Sequence, residues 1–237
     1  MKNKNLENMN ISRAKFIVFE GINGSGKTTI INNLINYYTN KNIKYQYIKF
    51  PDRTSNSGKK IDKFLKNQYE FNSINEQIQI FAENRKESEK LIKDSLNENK
   101  IILCDRYLYS NIAYTITDMS LNIQYNNSSE YISINNIIKY DKNLLKPDLV
   151  FLINGNYINL RNDSIQERYH NNEIKNGIIF NNYLLALYHT QSPYYIINNK
   201  FNKDTNESNL NESIDLINNM INSISIDADA DNTFTYF

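Results

Sequence analysis

Eight consecutive residues near the start of the chain restrict its fold more than any other segment: Gly21-Ile22-Asn23-Gly24-Ser25-Gly26-Lys27-Thr28. They satisfy G-x-x-x-x-G-K-[ST] in full. Glycines let the backbone curl so that successive N–H groups point inward at phosphate oxygens. Lys27 supplies a mobile point charge for the β- and γ-phosphates, and the Thr28 hydroxyl is a ligand type suited to Mg2+. The flanks separate this reading from an ordinary Gly-rich turn. The apolar run Lys15–Glu20 (KFIVFE) leads into the loop, and Ile30, Leu34 and Tyr37/Tyr38 follow it at helical spacing. A buried strand, a phosphate loop and a helix whose positive N-terminal end faces the anion are therefore expected in succession. The nucleotide-binding residues are read as Gly21, Asn23, Gly24, Ser25, Gly26, Lys27, Thr28 and Thr29. The motif implies a phosphate donor and leaves the acceptor open.

The rest of the chain alternates short apolar runs with helical patterns. Strands are expected at Tyr45–Phe50, cut by Pro51, then at Lys100–Cys104, Leu149–Ile153 and Tyr194–Ile197. Helical spacing covers Ser57–Lys66, the long stretch Ile74–Asn97, Tyr107–Thr115, Tyr131–Leu145, Ile178–Leu187 and Leu210–Ile224. Asp118–Glu130 is Asn/Ser-rich and reads as a surface loop. A helix beginning at Tyr157–Leu160 is interrupted by the charged stretch Arg161–Asn172. Strands separated by helices predict an α/β domain, a five-stranded parallel sheet with helices on both faces. Residues 1–14 read as a loose arm, 15–224 as the domain, and 225–237 as an acidic flexible tail.

Composition narrows the partners. A formal net charge of +1 in 237 residues provides no field for a polyanion or an acidic membrane, so small molecules rather than nucleic acid are expected. The polar N-terminus lacks an apolar signal segment, and no apolar run reaches the length of a membrane span. One cysteine, Cys104, cannot build a disulfide framework, which suits a reducing, cytoplasmic compartment.

Three segments bear on the acceptor. Arg53 in Phe50-Pro51-Asp52-Arg53-Thr54 follows the second strand, where ligands of parallel sheets bind; it is either a phosphate fork or a solvated loop arginine. Phe81 and Arg85 in Phe81-Ala82-Glu83-Asn84-Arg85 share a helix face, an aromatic plate beside a fork of donors that suits a flat base with carbonyl acceptors. Periodicity alone favours a core position for Phe81. Asp105-Arg106-Tyr107 follows the third strand. A carboxylate there can hold Mg2+ or its waters and the arginine can neutralise a moving phosphoryl group, or the two can form a strand-end ion pair.

Taken in order, FEGINGSGKTT from Phe19, FPDRT from Phe50, FAENR from Phe81, DRYLYSNIAYT from Asp105, KPDLVF from Lys146 and ERY from Glu167 resemble thymidylate kinases, P-loop enzymes of the nucleoside monophosphate kinase type. The resemblance spans about Lys15 to Ile224. It implies the strand order 2-3-1-4-5, a short lid over 161–172, and transfer of a phosphoryl group from ATP to dTMP with Mg2+ held at Thr28 and Asp105. It implies that Arg53 binds the acceptor phosphate, Phe81 stacks on thymine, Arg85 donates to its carbonyl edge, Tyr114 crowds the sugar 2′ position and Tyr169 is a lid contact. Asn23, Asp105 and Arg106 join the substrate site, Arg106 as the clamp between the two phosphates, and Lys27, Arg106, Arg161 and Arg168 are the catalytic cations. A homodimer is also implied.

The sequence departs from the family's pattern in places. Asn23 stands where an Asp is usual, Lys86 where a Trp follows NR, and His170 where an acid follows ERY. Gly24 replaces the basic loop residue of some members, while Arg161 and Arg168 in the lid resemble the variant whose lid supplies the catalytic arginine. A related nucleotide kinase with broader base choice, or a P-loop switch protein, would share the phosphate loop; only the first would need the FPDRT and FAENR segments.

Overall fold

The computed structural model describes residues 14–121, 132–155, 168, 173–199, 201–202, 207–224 and 235–237. Five parallel strands make the central sheet: β1 (Phe16–Glu20), β2 (Tyr45–Lys49), β3 (Ile101–Asp105), β4 (Leu149–Gly155) and β5 (Tyr194–Asn199). Their order is β2-β3-β1-β4-β5, the one implied by the family resemblance. The crossovers carry α1 (Lys27–Asn40), then α2 (Asn56–Leu65), α3 (Ile74–Glu87) and α4 (Glu89–Asn97), then α5 (Leu108–Ser120) and α6 (Ile134–Ile138), which runs into a 3-10 turn at Lys139–Asp141. Helix α7 (Glu173–His189) precedes β5, and α8 (Leu210–Ser223) follows a short antiparallel pair, β6 (Phe201–Asn202) and β7 (Glu207–Ser208). That pair is too short to show an alternation in sequence.

The strands read as unbroken apolar runs because both faces of the sheet are covered. Phe16 and Val18 of β1 pack with Ile102, Cys104, Val150 and Leu152 against α3, α5 and α7. Ile17 and Phe19 point the other way, with Leu103, Phe151 and Ile153, against α1 and α8. Strand β1 sits between β3 and β4, so the chain leaves the sheet in opposite directions on either side of it and a crevice opens at the strand ends. The phosphate loop follows β1 and Asp105-Arg106-Tyr107 follows β3. The two meet directly, since Phe19 is in register with Asp105 and Arg106 N–H donates to the Phe19 carbonyl at 2.9 Å.

Several expected boundaries shift. The helix expected over Ile74–Asn97 breaks at Ser88 into α3 and α4. Residues 86–90 carry no apolar side chain to hold one register, and the Glu87 carboxylate turns aside to accept from Ser57 N at 3.2 Å and Ser57 Oγ at 2.8 Å. Helix α5 continues to Ser120, taking in residues expected as loop, because Asp118 is buried against Lys175 of α7. The helix expected over Tyr131–Leu145 contracts to α6, capped by Ser133, and Asn143 turns the chain out with φ 73°.

The stretch read as a flexible tail behaves differently at its end. Thr235 and Phe237 join the 143–146 segment by backbone hydrogen bonds, Lys146 N–H to the Thr235 carbonyl at 2.7 Å and Phe237 N–H to the Leu144 carbonyl at 3.1 Å. The Phe237 ring stands 6.3 Å from Tyr107 and 6.2 Å from Tyr109. Ring burial outweighs the acidic composition around it. Ala14, read as arm, is buried in the core. Residues 1–13, 122–131 and 225–234, and the helix expected from Tyr157, lie outside the described residues.

Candidate active site

The phosphate loop is held by close packing at its first residue. Gly21 has φ 140°, and a Cβ there would stand 2.4 Å from the Ile153 carbonyl oxygen, so only glycine fits. Gly26 caps α1 in the left-handed region. Lys27 is buried and its ammonium lies back on the loop, donating to the carbonyls of Gly21 at 2.8 Å and Ile22 at 2.7 Å. Asn199 at the end of β5 braces the loop from below by donating to the Ser25 carbonyl at 3.1 Å.

Arg106 is the hub between this loop and α5. Its backbone is left-handed (φ 71°), a strained state for a non-glycine residue that surrounding contacts must hold. Its Nη2 donates to Asn23 Oδ1 at 2.6 Å, and its Nη1 reaches the Gly21 carbonyl at 2.9 Å, Ser110 Oγ at 3.1 Å and the Tyr183 hydroxyl at 2.9 Å. Burial alone would push the guanidinium pKa down; Tyr183, Tyr114, Asp105 and Glu20 outweigh it, so Arg106 is a permanent cation. The Tyr114 ring stands 5.7 Å from the guanidinium carbon and edge-on to Tyr183 at 6.3 Å.

Glu20, which the sequence reading passed over, fixes the strained turn. It is buried, and its Oε1 accepts from Tyr107 N at 2.8 Å and Ser110 N at 3.1 Å, its Oε2 from Ser110 Oγ at 2.7 Å. Tyr107 offers no side-chain cap to α5. A carboxylate from the neighbouring strand therefore satisfies the helix's free N–H groups and complements its dipole. Burial raises the Glu20 pKa, with Arg106 and these hydrogen bonds opposing.

Thr28 and Asp105 come together as expected. Thr28 Oγ1 is 3.5 Å from Asp105 Oδ2, and the buried Asp105 Oδ1 has no hydrogen-bond partner among the described residues. A hydroxyl and a carboxylate with an unclaimed oxygen beside a phosphate loop fit Mg2+, which takes few protein ligands and completes its shell with phosphate and water.

The acceptor side is built from side chains. Asn84 clamps the FPDRT loop: its Nδ2 donates to the Asp52 carbonyl at 3.0 Å, Ser55 Oγ at 2.9 Å and Ser57 Oγ at 3.0 Å, and its Oδ1 accepts from Asp52 N at 2.8 Å. Gly58 presses on the same loop, and a Cβ there would fall 1.7 Å from the Asp52 carbonyl oxygen. Arg53, carried on this loop, is exposed and bonds Asp62 at 2.9 Å. Phe81 is half-buried, edge-on to Phe64 at 6.4 Å, and leans on a small cluster of Ile61, Phe64, Leu65 and Phe71. Arg85 is buried and doubly bonded to Asp141, an acid that no local motif marks.

One expected catalytic residue, Arg168, is not brought to the loop. Arg161 lies outside the described residues, as does Tyr169. Arg168 lies at the end of α2 instead, its guanidinium 4.1 Å above the Phe64 ring and paired with Glu70. There it finds an aromatic plate and a carboxylate, which suit a guanidinium without any phosphate.

A phosphate loop at a topological switch point, facing an arginine hub and a second clamped loop, defines a P-loop kinase that moves phosphoryl groups between nucleotides. A family model for thymidylate kinase matches residues 19–209. The chain is 36% identical over 169 residues to a thymidylate kinase of Plasmodium falciparum, covering 70% of this chain and 74% of that protein. It is 30% identical over 174 residues to one of Schizosaccharomyces pombe, covering 72% and 76%. In fold it is similar to thymidylate kinase from Candida albicans, with a TM-score of 0.74 at 24% identity over 95% of this chain and 99% of that one. The chain belongs to the thymidylate kinase family and is a phosphotransferase that converts dTMP to dTDP.

Proposed function

We propose that the donor is ATP, that Mg2+ is held at Thr28 and Asp105, and that dTMP lies between the FPDRT loop, α3 and Arg106. The observation that carries this is Arg106 itself, tied to Gly21 and Asn23 of the donor loop while it stands at the mouth of the acceptor cleft. An oxygen of the acceptor phosphate attacks the γ-phosphorus, the β–γ bridging bond breaks, and ADP leaves. The nucleophile is already anionic, so no covalent intermediate is needed and catalysis is alignment plus charge neutralisation. Mg2+, when bound, neutralises charge on the β- and γ-phosphates.

Lys27 leaves the loop carbonyls for the phosphates, joined by Arg106 and, from the lid, Arg161. Arg53 exchanges Asp62 for the acceptor phosphate. Phe81 offers its free face to the base, Arg85 its donors, and Tyr114 forms a wall stiffened by Tyr183. Tyr169 contacts the nucleotide from the 161–172 lid, and closure of that lid excludes water, which would otherwise compete as acceptor. ADP release measured over dTMP, dUMP, dCMP, dAMP and dGMP, with and without EDTA, tests the reading. Release favoured by dTMP and abolished by EDTA is expected; release that ignores the monophosphate overturns it.

A homodimer in the cytoplasm completes the proposal. Ile174, Leu185 and Tyr188 lie along one face of α7 and are exposed, an apolar stripe of the kind a second copy covers. Cys104 is a buried free thiol. Sedimentation of the intact chain at twice the monomer mass is the expected result. Among the described residues no helix is long and apolar enough to cross a membrane.

A further inference from the structure

Arg85 and Asp141 stand 56 residues apart in the chain and form a buried fork. Arg85 Nε donates to Asp141 Oδ1 and Nη2 to Asp141 Oδ2, both at 2.7 Å, with the two side chains 3% and 0% exposed. The fork uses two of the five guanidinium N–H groups and fixes the plane of the rest. Two N–H on Nη1 and one on Nη2 remain, directed away from the carboxylate.

The pairing also changes what Arg85 can bind. A lone guanidinium in a buried pocket is a site for an anion. Matched by a carboxylate, the pair is neutral overall, and the remaining N–H groups suit an uncharged carbonyl oxygen. Thymine presents such a carbonyl, whereas cytosine presents an amino group at the same position, a donor facing donors. An arginine free to swing would avoid that clash; one pinned at Nε and Nη2 cannot. Stability does not explain the arrangement, because apolar residues of similar volume often replace a buried ion pair without loss.

We propose that Asp141 is a positioning residue for base selectivity: it pins Arg85 so that the arginine accepts thymine and rejects cytosine. This rests on the reading that Arg85 meets the base. The 3-10 turn carrying Asp141 is itself braced, since Leu144 N–H returns to the Asp141 carbonyl at 3.0 Å and Asn143 N–H donates to the Phe237 carbonyl at 3.3 Å.

The test compares kcat/KM for dTMP and dCMP, KM for ATP, and Tm in wild type, D141N, R85M and R85M/D141N. In D141N the dTMP-to-dCMP ratio should fall about tenfold or more, the size of a lost charged hydrogen bond. The loss should lie in KM for dTMP, with KM for ATP and kcat at saturating dTMP little changed. R85M should lose the ratio as well, and adding D141N to it should change nothing further. A D141N enzyme that melts lower but keeps its ratio, beside an R85M enzyme that loses it, overturns the proposal. An R85M enzyme that keeps the ratio overturns the reading beneath it instead. If D141N does not fold, D141E is measured in its place: it keeps the charge and moves the carboxylate by one methylene, so a lowered ratio supports the proposal and an unchanged one overturns it.

Discussion

On the phosphate side of the cleft, Lys27, Thr28 and the loop glycines come from one run of eight residues, and in the proposed reading the backbone N–H groups do much of the binding. On the base side, Phe81, Asn84 and Arg85 share one helix but rely on partners elsewhere: Asp52 and Ser57 for Asn84, Asp141 for Arg85, Phe64 for Phe81. The first arrangement tolerates most side-chain changes outside the glycines, Lys27 and Thr28, because backbone N–H groups are supplied by any residue. The second depends on Asn84 and Arg85 being buried, paired and held at distances between 2.7 and 3.0 Å, and on Phe81 leaning against the Phe64 ring. Damage to the phosphate side should therefore appear in kcat, and damage to the base side in KM for dTMP.

Substitution can break that division or sharpen it. The largest effect is expected for Lys27→Ala, which removes the charge proposed to move from the loop carbonyls to the transferring group: kcat should drop by about a thousandfold, with circular dichroism unchanged. A folded variant with near wild-type turnover would end the catalytic assignment of the loop. Next comes Gly58→Ala. The added methyl would fall 1.7 Å from the Asp52 carbonyl oxygen, so the FPDRT loop must move and Arg53 with it. A displacement of that order costs about a hundredfold in kcat/KM for dTMP, while KM for ATP should hold. Equal losses for both substrates would show that the two sides are not separable.

Phe81→Ala is expected to raise KM for dTMP about tenfold, since base stacking on an aromatic ring is worth roughly 1–3 kcal/mol. A large drop in Tm with dTMP affinity intact would assign Phe81 to the Phe64 cluster alone. The smallest effect belongs to Asn23→Asp. Asn23 Oδ1 already accepts from Arg106 at 2.6 Å, so the new charge should tighten that bond and also favour a 3′-hydroxyl on the acceptor. The kcat/KM ratio of dTMP to its 3′-azido analogue should rise about threefold, within the gain of a charge-assisted bond. A constant ratio would mean that residue 23 serves Arg106 and does not read the sugar.

What was legible in the chain follows the same division. The phosphate loop, the five strands and the carboxylate after β3 could be read directly, because each is a short-range pattern: glycines at fixed spacing, apolar runs covered on both faces, an acid at a strand end; that Asp105 meets Thr28, 77 residues away, came from family likeness. Strand order came from family likeness and is now seen in the sheet itself. Boundaries were missed where burial of one distant partner overrode local composition, as at Asp118 with Lys175, Glu87 with Ser57, and Phe237 with Tyr107 and Tyr109.

By itself, then, the sequence determined the class of sheet, the place of the phosphate loop and the residues able to carry charge, since those depend on neighbours along the chain. Only the tertiary structure decided how the charges are spent. It gave Glu20 to the backbone of Tyr107 and Ser110, Asp141 to Arg85, and Arg168 to Phe64 and Glu70. An isolated carboxylate or guanidinium is costly to bury, and which partner relieves that cost is set by folded geometry across many residues of separation rather than by spacing.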